Sequence, residues 1–270
     1  MSAISRKRKA EEAGLHEAGE EAPESHSPPL DHTFDALLHR LSSGFVGRDW
    51  LATRVHTLLQ GEAKLKSEEE GHAPFLVIFG GAGTGKSSFM ANVVVKRGRQ
   101  NSPWRKLHER VLAFHICRYS DSDTLNPKIF VRRLCGVLAE ALLLDRLREE
   151  TNDELKKDLT EKSALAILRK HVFVALKGVQ DHSKDTIWID SLDEARSNRT
   201  FSIVNLLLST KMEWPAWLRI IATSREDAAI RNELRPFDHA SIHLQDEENW
   251  ADIAALTRHM LEDVFQKQAH

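Results

Sequence analysis

The chain has 270 residues and a formal net charge of −2. That length supports one sizeable α/β domain plus a tail, and the near-neutral charge gives no global basic field to mark nucleic acid as the main ligand. No apolar run approaches the ~18 residues of a membrane span, and the N-terminus lacks the apolar core of a secretory signal, so neither membrane insertion nor secretion is expected.

Residues 1 to 32 carry almost no large apolar side chains. Arg6-Lys7-Arg8-Lys9 is followed by a glutamate-rich stretch and Ser27-Pro28-Pro29. Such a segment cannot bury enough surface to offset its ordering entropy, so a disordered, charged tail is expected. The basic cluster reads either as a nuclear import address or as a solvated charge run. Otherwise a cytoplasmic location is expected. Cys117 and Cys135, the only two cysteines, sit in apolar surroundings and read as buried, reduced thiols.

The folded part, residues 33 to 270, begins with a short helix at Leu37, Leu38 and Leu41. A second helix follows Phe45-Val46-Gly47-Arg48, with Leu51, Val55, Leu58 and Leu59 at helical spacing. Residues 61 to 73 read as a polar linker. Phe75 to Phe79 is a continuous apolar run of strand type. Gly80-Gly81-Ala82-Gly83-Thr84-Gly85-Lys86-Ser87 then fits G-x-x-x-x-G-K-[ST], and Ser88 and Phe89 lead into a helix. Strand, glycine-rich loop and helix together predict a phosphate-binding loop. Glycine permits the backbone angles that turn N–H groups toward a triphosphate. The helix directs its positive end at the phosphates. Lys86 offers an ammonium to the β- and γ-phosphates, and Ser87 offers a hydroxyl to Mg²⁺.

Val111 to Cys117 is a second strand. His115 within it reads as a core histidine with a satisfied ring. A long amphipathic helix starts at Pro127, residues 149 to 161 read as charged and exposed, and Leu165 to Val179 as another helix. The third strand, Asp185 to Asp190, ends in an acid. A helix at 201 to 208 and the connector Trp214-Pro215-Ala216-Trp217 precede the fourth strand, Leu218 to Thr223. A short helix at 227 to 234, a weaker fifth strand at 240 to 244 and a final amphipathic helix at 250 to 265 complete the pattern. Alternating strands and helices predict a parallel sheet covered on both faces.

Ile187-Trp188-Ile189-Asp190-Ser191-Leu192-Asp193-Glu194 supplies the second half of a site. An apolar strand ending in Asp190 is the Walker B arrangement, which places that carboxylate to hold Mg²⁺. Asp193 or Glu194 could orient or deprotonate an attacking water, with Glu194 preferred. Plain helix N-terminal charge is an equal alternative for Asp193 and a weaker one for Glu194. Arg225 closes the fourth strand, where its position favours reaching a γ-phosphate over a surface salt bridge with Glu226 or Asp227.

In order along the chain, Val46-Gly47-Arg48, the Gly80–Ser87 loop, the D-x-x-D-E spacing from Asp190 and Thr223-Ser224-Arg225 resemble the nucleotide-binding domain of STAND NTPases, the NACHT and AP-ATPase-like branch of the AAA+ superfamily. Phe114-His115-Ile116-Cys117-Arg118 and the helix after it look like members whose NTPase domain precedes ankyrin or tetratricopeptide repeats. The resemblance implies a three-layer α/β/α fold with a five-stranded parallel sheet in the order 5-1-4-3-2. It also implies an ATP/ADP switch, Arg48 near the adenine and Arg225 as a γ-phosphate sensor, with protein partners or self-association. Relatives continue into a small helical domain and a winged helix; here the chain ends at His270, and no second sensor arginine is assignable. Two other readings stay open. One is a nucleotide-binding module without hydrolysis. The other is a small-molecule kinase, which would need an arginine-rich lid that is not evident. A GTPase is disfavoured, because the nearest approach to N/T-K-x-D is Thr210-Lys211-Met212-Glu213, with the wrong acid.

Overall fold

The computed structural model describes residues 34–60, 75–95, 102–196, 201–234, 239–243, 250–254, 256–258 and 261. The expected tail and the 61–73 linker lie outside these residues, as does part of the last helix. The elements in chain order are α1 (Asp35–Ser42), α2 (Asp49–Leu59), β1 (Phe75–Phe79), α3 (Lys86–Val95), α4 (Pro103–Glu109), β2 (Val111–Ile116), α5 (Pro127–Ala141) and α6 (Asp153–Glu161). Next comes a continuous helix, α7, made of Ala164–Ile167, a π turn at Leu168–Phe173 and Val174–Leu176. It is followed by β3 (Thr186–Asp190), α8 (Ile203–Ser209), β4 (Arg219–Ser224), α9 (Ala228–Leu234) and β5 (His239–His243).

The strand order is β2-β3-β4-β1-β5, and every pair is parallel. β2, β3, β4 and β1 form the buried body of the sheet, and β5 adds to the β1 edge. β1 is buried at all five positions because both of its faces are covered. Its side chains divide by the two-residue period of a strand. Phe75, Val77 and Phe79 join a core with α5, α7 and α8, while Leu76 and Ile78 join a second core with α1, α2, α3 and α4. β3 and β4 divide the same way: Ile187, Ile189, Ile220 and Ala222 face one layer, Trp188 and Ile221 the other. The alternation produces three layers.

Helix starts follow local chemistry. Ser102 caps α4 ahead of Pro103, Asn126 caps α5 ahead of Pro127, and Ser202 and Asn205 form a reciprocal capping box on α8. His115 is a core residue as expected, with its Nε2 2.8 Å from the Thr124 carbonyl oxygen. Both cysteines are buried, and burial pushes the Cys135 thiol up to about 12. No helix among the described residues is long and apolar enough to cross a membrane.

Residues 149–161 are a correction. They are not simply an exposed charged stretch, because 153–161 form α6, whose Leu155 is fully buried. Leu155 and Leu159 lie four apart and seat one face of the helix in the core. That face also buries Asp158, whose Oδ2 lies 2.7 Å from Lys170 Nζ and 2.8 Å from His171 Nε2; Lys162 Nζ reaches Oδ1 at 3.0 Å. Hydrogen bonds from Lys170 and His171 hold the Asp158 carboxyl far below its ordinary value. A carboxyl lowered in the folded state adds stability that is complete above its unfolded pKa, about 4, and is lost as pH falls through the lowered folded value. Melting curves between pH 7 and pH 3 should therefore fall less steeply for Asp158→Asn than for the natural chain. Parallel curves would rule out this contribution.

Candidate functional site

All the polar strand ends meet on one edge of the sheet. Phe79 pairs with Ser224, and Ile116 with Asp190, so the C-terminal ends of β1, β2, β3 and β4 lie side by side. The glycine-rich loop leaves β1 there. Gly83 and Gly85 have φ of 76° and 85°, in the left-handed region that a side chain resists. Gly81 to Gly83 are exposed, and Ala82 sits at the rim with Gly81, beside Arg225 and Arg231. Lys86 is buried, and its ammonium donates to the Gly80 and Gly81 carbonyls at 2.7 and 2.8 Å. Burial lowers its pKa, opposed by the nearby Asp193 and Asp190 charges. Thr84 Oγ1 donates to Gly81 O at 2.9 Å, which closes the loop on itself. Ser87 and Ser88 open α3, and Ser88 O accepts from the Asn92 amide at 2.8 Å.

Asp190 is 1% exposed. Burial raises its pKa, while hydrogen bonds from Thr223, Ser87 and Ser191 pull the other way. Thr223 Oγ1 donates to Asp190 Oδ1 at 2.5 Å and accepts from Ser191 N at 2.9 Å. Thr223 therefore orients the acid and the turn after it, a role read only once β3 and β4 are known to be neighbours. Ser191 takes φ 56°, which turns the chain so that Asp193 and Glu194 come back over the strand ends. Asp193 Oδ1 accepts from the Arg225 amide at 3.0 Å, and its Oδ2 lies 3.4 Å from the Arg225 guanidinium. Glu194 Oε2 accepts from the Tyr119 amide at 2.6 Å, and its Oε1 is 3.9 Å from Arg225.

Arg225 is thus paired with the D-x-x-D-E acids. It does not pair with Glu226 or Asp227, the partners of the surface alternative. Glu226 is held by Arg231 and His243, and Asp227 accepts from the first turn of α9. Asp193 and Glu194 are likewise more than terminal charge, because they fix β2 and β4 ends across the edge. Ser87, Asp190, Glu194 and Arg225 line one cavity of about 430 Å³ with Cys117, and Leu37 and Leu41 of α1 also border it.

Arg48 reaches the same loop from the other side. It precedes α2 with φ 67°, a left-handed conformation costing a non-glycine residue roughly 1 kcal/mol. Its Nη2 donates to Thr84 O at 2.6 Å. Among the described residues its buried Nη1 has no hydrogen-bond partner. Burial lowers its pKa and Asp252 raises it. Asp252 was not anticipated, and no local pattern marks a partner 204 residues away.

The chain is an α/β protein whose parallel sheet carries a glycine-rich loop opening the helix after its first strand, with Asp190 ending β3, beyond β4, on the same edge. Residues 55–225 match the family model described as Nephrocystin 3, N-terminal. The chain belongs to that family. Among solved structures it is similar to Drosophila ORC bound to DNA, with a TM-score of 0.38 and 11% identity over 79% of this chain and 31% of that one. It is also similar to Drosophila ORC bound to AT-rich DNA and Cdc6, with a TM-score of 0.37 and 9% identity over 91% and 37%. The chain spans about a third of the length of these structures.

Proposed function

We propose that the chain binds ATP or ADP with Mg²⁺ at this edge and is a slow ATPase of the STAND and NACHT type, used as a signalling or assembly switch. The observation that carries the reading is the convergence of Ser87, Asp190, Glu194 and Arg225, from three separate segments, on one cavity, with the Lys86 ammonium held in the adjoining glycine-rich loop. Gly80 to Ser87 would wrap the phosphates with backbone N–H groups, with Ser88 following at the start of α3. Lys86 would exchange its two carbonyl partners for phosphate oxygens, which are stronger, charged acceptors.

The donor set suits magnesium. Ser87 and Asp190 offer hard oxygens already hydrogen-bonded to each other. When bound, the ion would neutralise charge between the β- and γ-phosphates. Glu194, which lines the cavity, takes the proton of a water whose oxygen attacks the γ-phosphorus, while the β–γ bridging oxygen leaves with ADP. Asp193 holds Arg225 at the rim, from which the guanidinium reads the γ-phosphate. Arg48 presents its Nη1 to the nucleoside side of the same ligand.

Mass identification of nucleotide carried through purification tests the binding, with tightly held ADP expected. Asp190→Asn should keep nucleotide affinity within several-fold yet lower phosphate release by roughly 100-fold, and Glu194→Gln should lower release with affinity intact. Phosphate release unchanged in both variants would sink the hydrolytic assignment. A second reading, binding without hydrolysis, is favoured by the engagement of Glu194 with Tyr119 and Arg225. In that case ATP raises the melting temperature and no phosphate appears.

A further inference from the structure

Asp252 comes from the last helical stretch, over 200 residues from the turn it touches. Its Oδ2 accepts from the Arg48 amide at 3.0 Å and from Trp50 Nε1 at 2.8 Å, and it lies 3.8 Å from Arg48 Nε. The contact is close: a Cβ on Gly47 would meet Asp252 Oδ1 at 2.8 Å. Gly47, at φ 85°, leaves the room that the carboxylate occupies. The far end of the same arginine grips Thr84 O in the glycine-rich loop, and a Cβ on Gly85 would lie 3.7 Å from Nη2. Arg48 therefore spans the distance from the last helix to the phosphate loop. It is more than nine-tenths buried, and among the described residues one of its donor nitrogens is unused. A buried guanidinium with a spare donor beside such a loop fits an electronegative ligand atom.

We propose that Asp252 is a positioning residue of the nucleotide site, which fixes the backbone and the charge of Arg48 so that its unused Nη1 is aimed at bound nucleotide. The 250–258 stretch and the ligand are then energetically coupled through one arginine. The proposal rests on the nucleotide reading above. Asp252 touches no ligand itself; it acts by holding the Arg48 fork in advance of binding, so that less ordering is needed when the ligand arrives. By linkage, nucleotide that binds the held fork must in turn hold the helix.

The test uses the full chain and a fluorescent mant-ADP with Mg²⁺. Asp252→Asn should weaken binding about 10-fold, Asp252→Glu should recover part of the loss, and Asp252→Asn combined with Arg48→Ala should bind no more weakly than Arg48→Ala alone. An unchanged affinity in Asp252→Asn, or a double variant that loses the sum of the two single effects, overturns the proposal. Amide hydrogen exchange at 250–258 in the natural chain gives a second reading that does not depend on a variant folding. Mg-ADP should slow it, and no change overturns the coupling. Failure of the natural chain to bind mant-ADP at all would instead overturn the nucleotide reading and take this proposal with it.

Discussion

Replacing Lys86 with alanine should weaken Mg-ATP binding by about 100-fold or more while leaving the fold in place. The ammonium sits within 2.8 Å of two loop carbonyls, Gly80 and Gly81, at a position where burial already disfavours its charge. A triphosphate in the loop gives that charge anionic acceptors and removes the desolvation penalty that the carbonyls only partly offset. Hydrogen bonds to charged groups contribute about 1.5–3 kcal/mol each, and 100-fold corresponds to about 2.7 kcal/mol. Removing Lys86 leaves the exposed Gly81 carbonyl to water and takes a donor from the buried Gly80 carbonyl, but it also takes away an ammonium whose charge burial disfavours, so the melting temperature without nucleotide should change little. Titration calorimetry with Mg-ATP reads the result. Binding equal to that of the natural chain would mean that the glycine-rich loop does not hold phosphate. Arg48 would then have to be reconsidered as the principal cation of the site.

The features legible in the sequence are those whose physics is local. The apolar run Phe75–Phe79, the spaced glycines and Lys86 predict strand, loop and helix because each step follows from its neighbours, and the structure has all three there. An apolar strand that ends in an acid puts the acid at a sheet edge whatever the strand order, which is why Asp190 could be picked out. Thr223 stands in the sequence only as part of the strand-end motif, with no role of its own, because its importance depends on β4 lying beside β3. Asp252 was invisible for the same reason over a longer span. The 149–161 stretch misled because charge density hid the Leu155–Leu159 spacing, and the acid on that face is held by cations from α7 and the α6–α7 turn. α4 carried its own signal in Ser102-Pro103, a cap followed by proline, in a segment too short for a hydrophobic period to stand out. Local rules thus recover the glycine-rich loop and the acid at the end of β3, while the groups that orient them come from tertiary neighbours.

The same distinction predicts where a large stability effect should leave the site untouched. Asp185 lies just before β3, at the end of the sheet opposite the glycine-rich loop. Its carboxylate accepts from Arg110 Nε and Nη2 at 2.8 and 2.5 Å, and Arg219 Nη1 is 3.5 Å away. The Arg110 guanidinium also donates to Leu59 O at 3.2 Å, and the Arg110 carbonyl accepts from the Asp185 and Thr186 amides at 3.0 Å each. One buried acid thus joins the end of α2 and the starts of β2, β3 and β4. Asp185→Ala leaves two arginines facing each other in a partly buried pocket without their shared counter-charge. Removing one partner of a buried pair costs about 3–5 kcal/mol, mostly as the penalty on the charge left behind. For a domain of this size that is a fall of roughly 10 °C in melting temperature. Asp185→Asn keeps the shape and two acceptor lone pairs and should lose less. Because the cluster and the loop sit at opposite ends of β1 and β3, mant-ADP affinity in Asp185→Ala should match the natural chain below the transition. A variant that melts normally would show that Arg110 and Arg219 are satisfied by their carbonyl acceptors and water without Asp185, and one that loses affinity at full folding would tie the two ends of the sheet together.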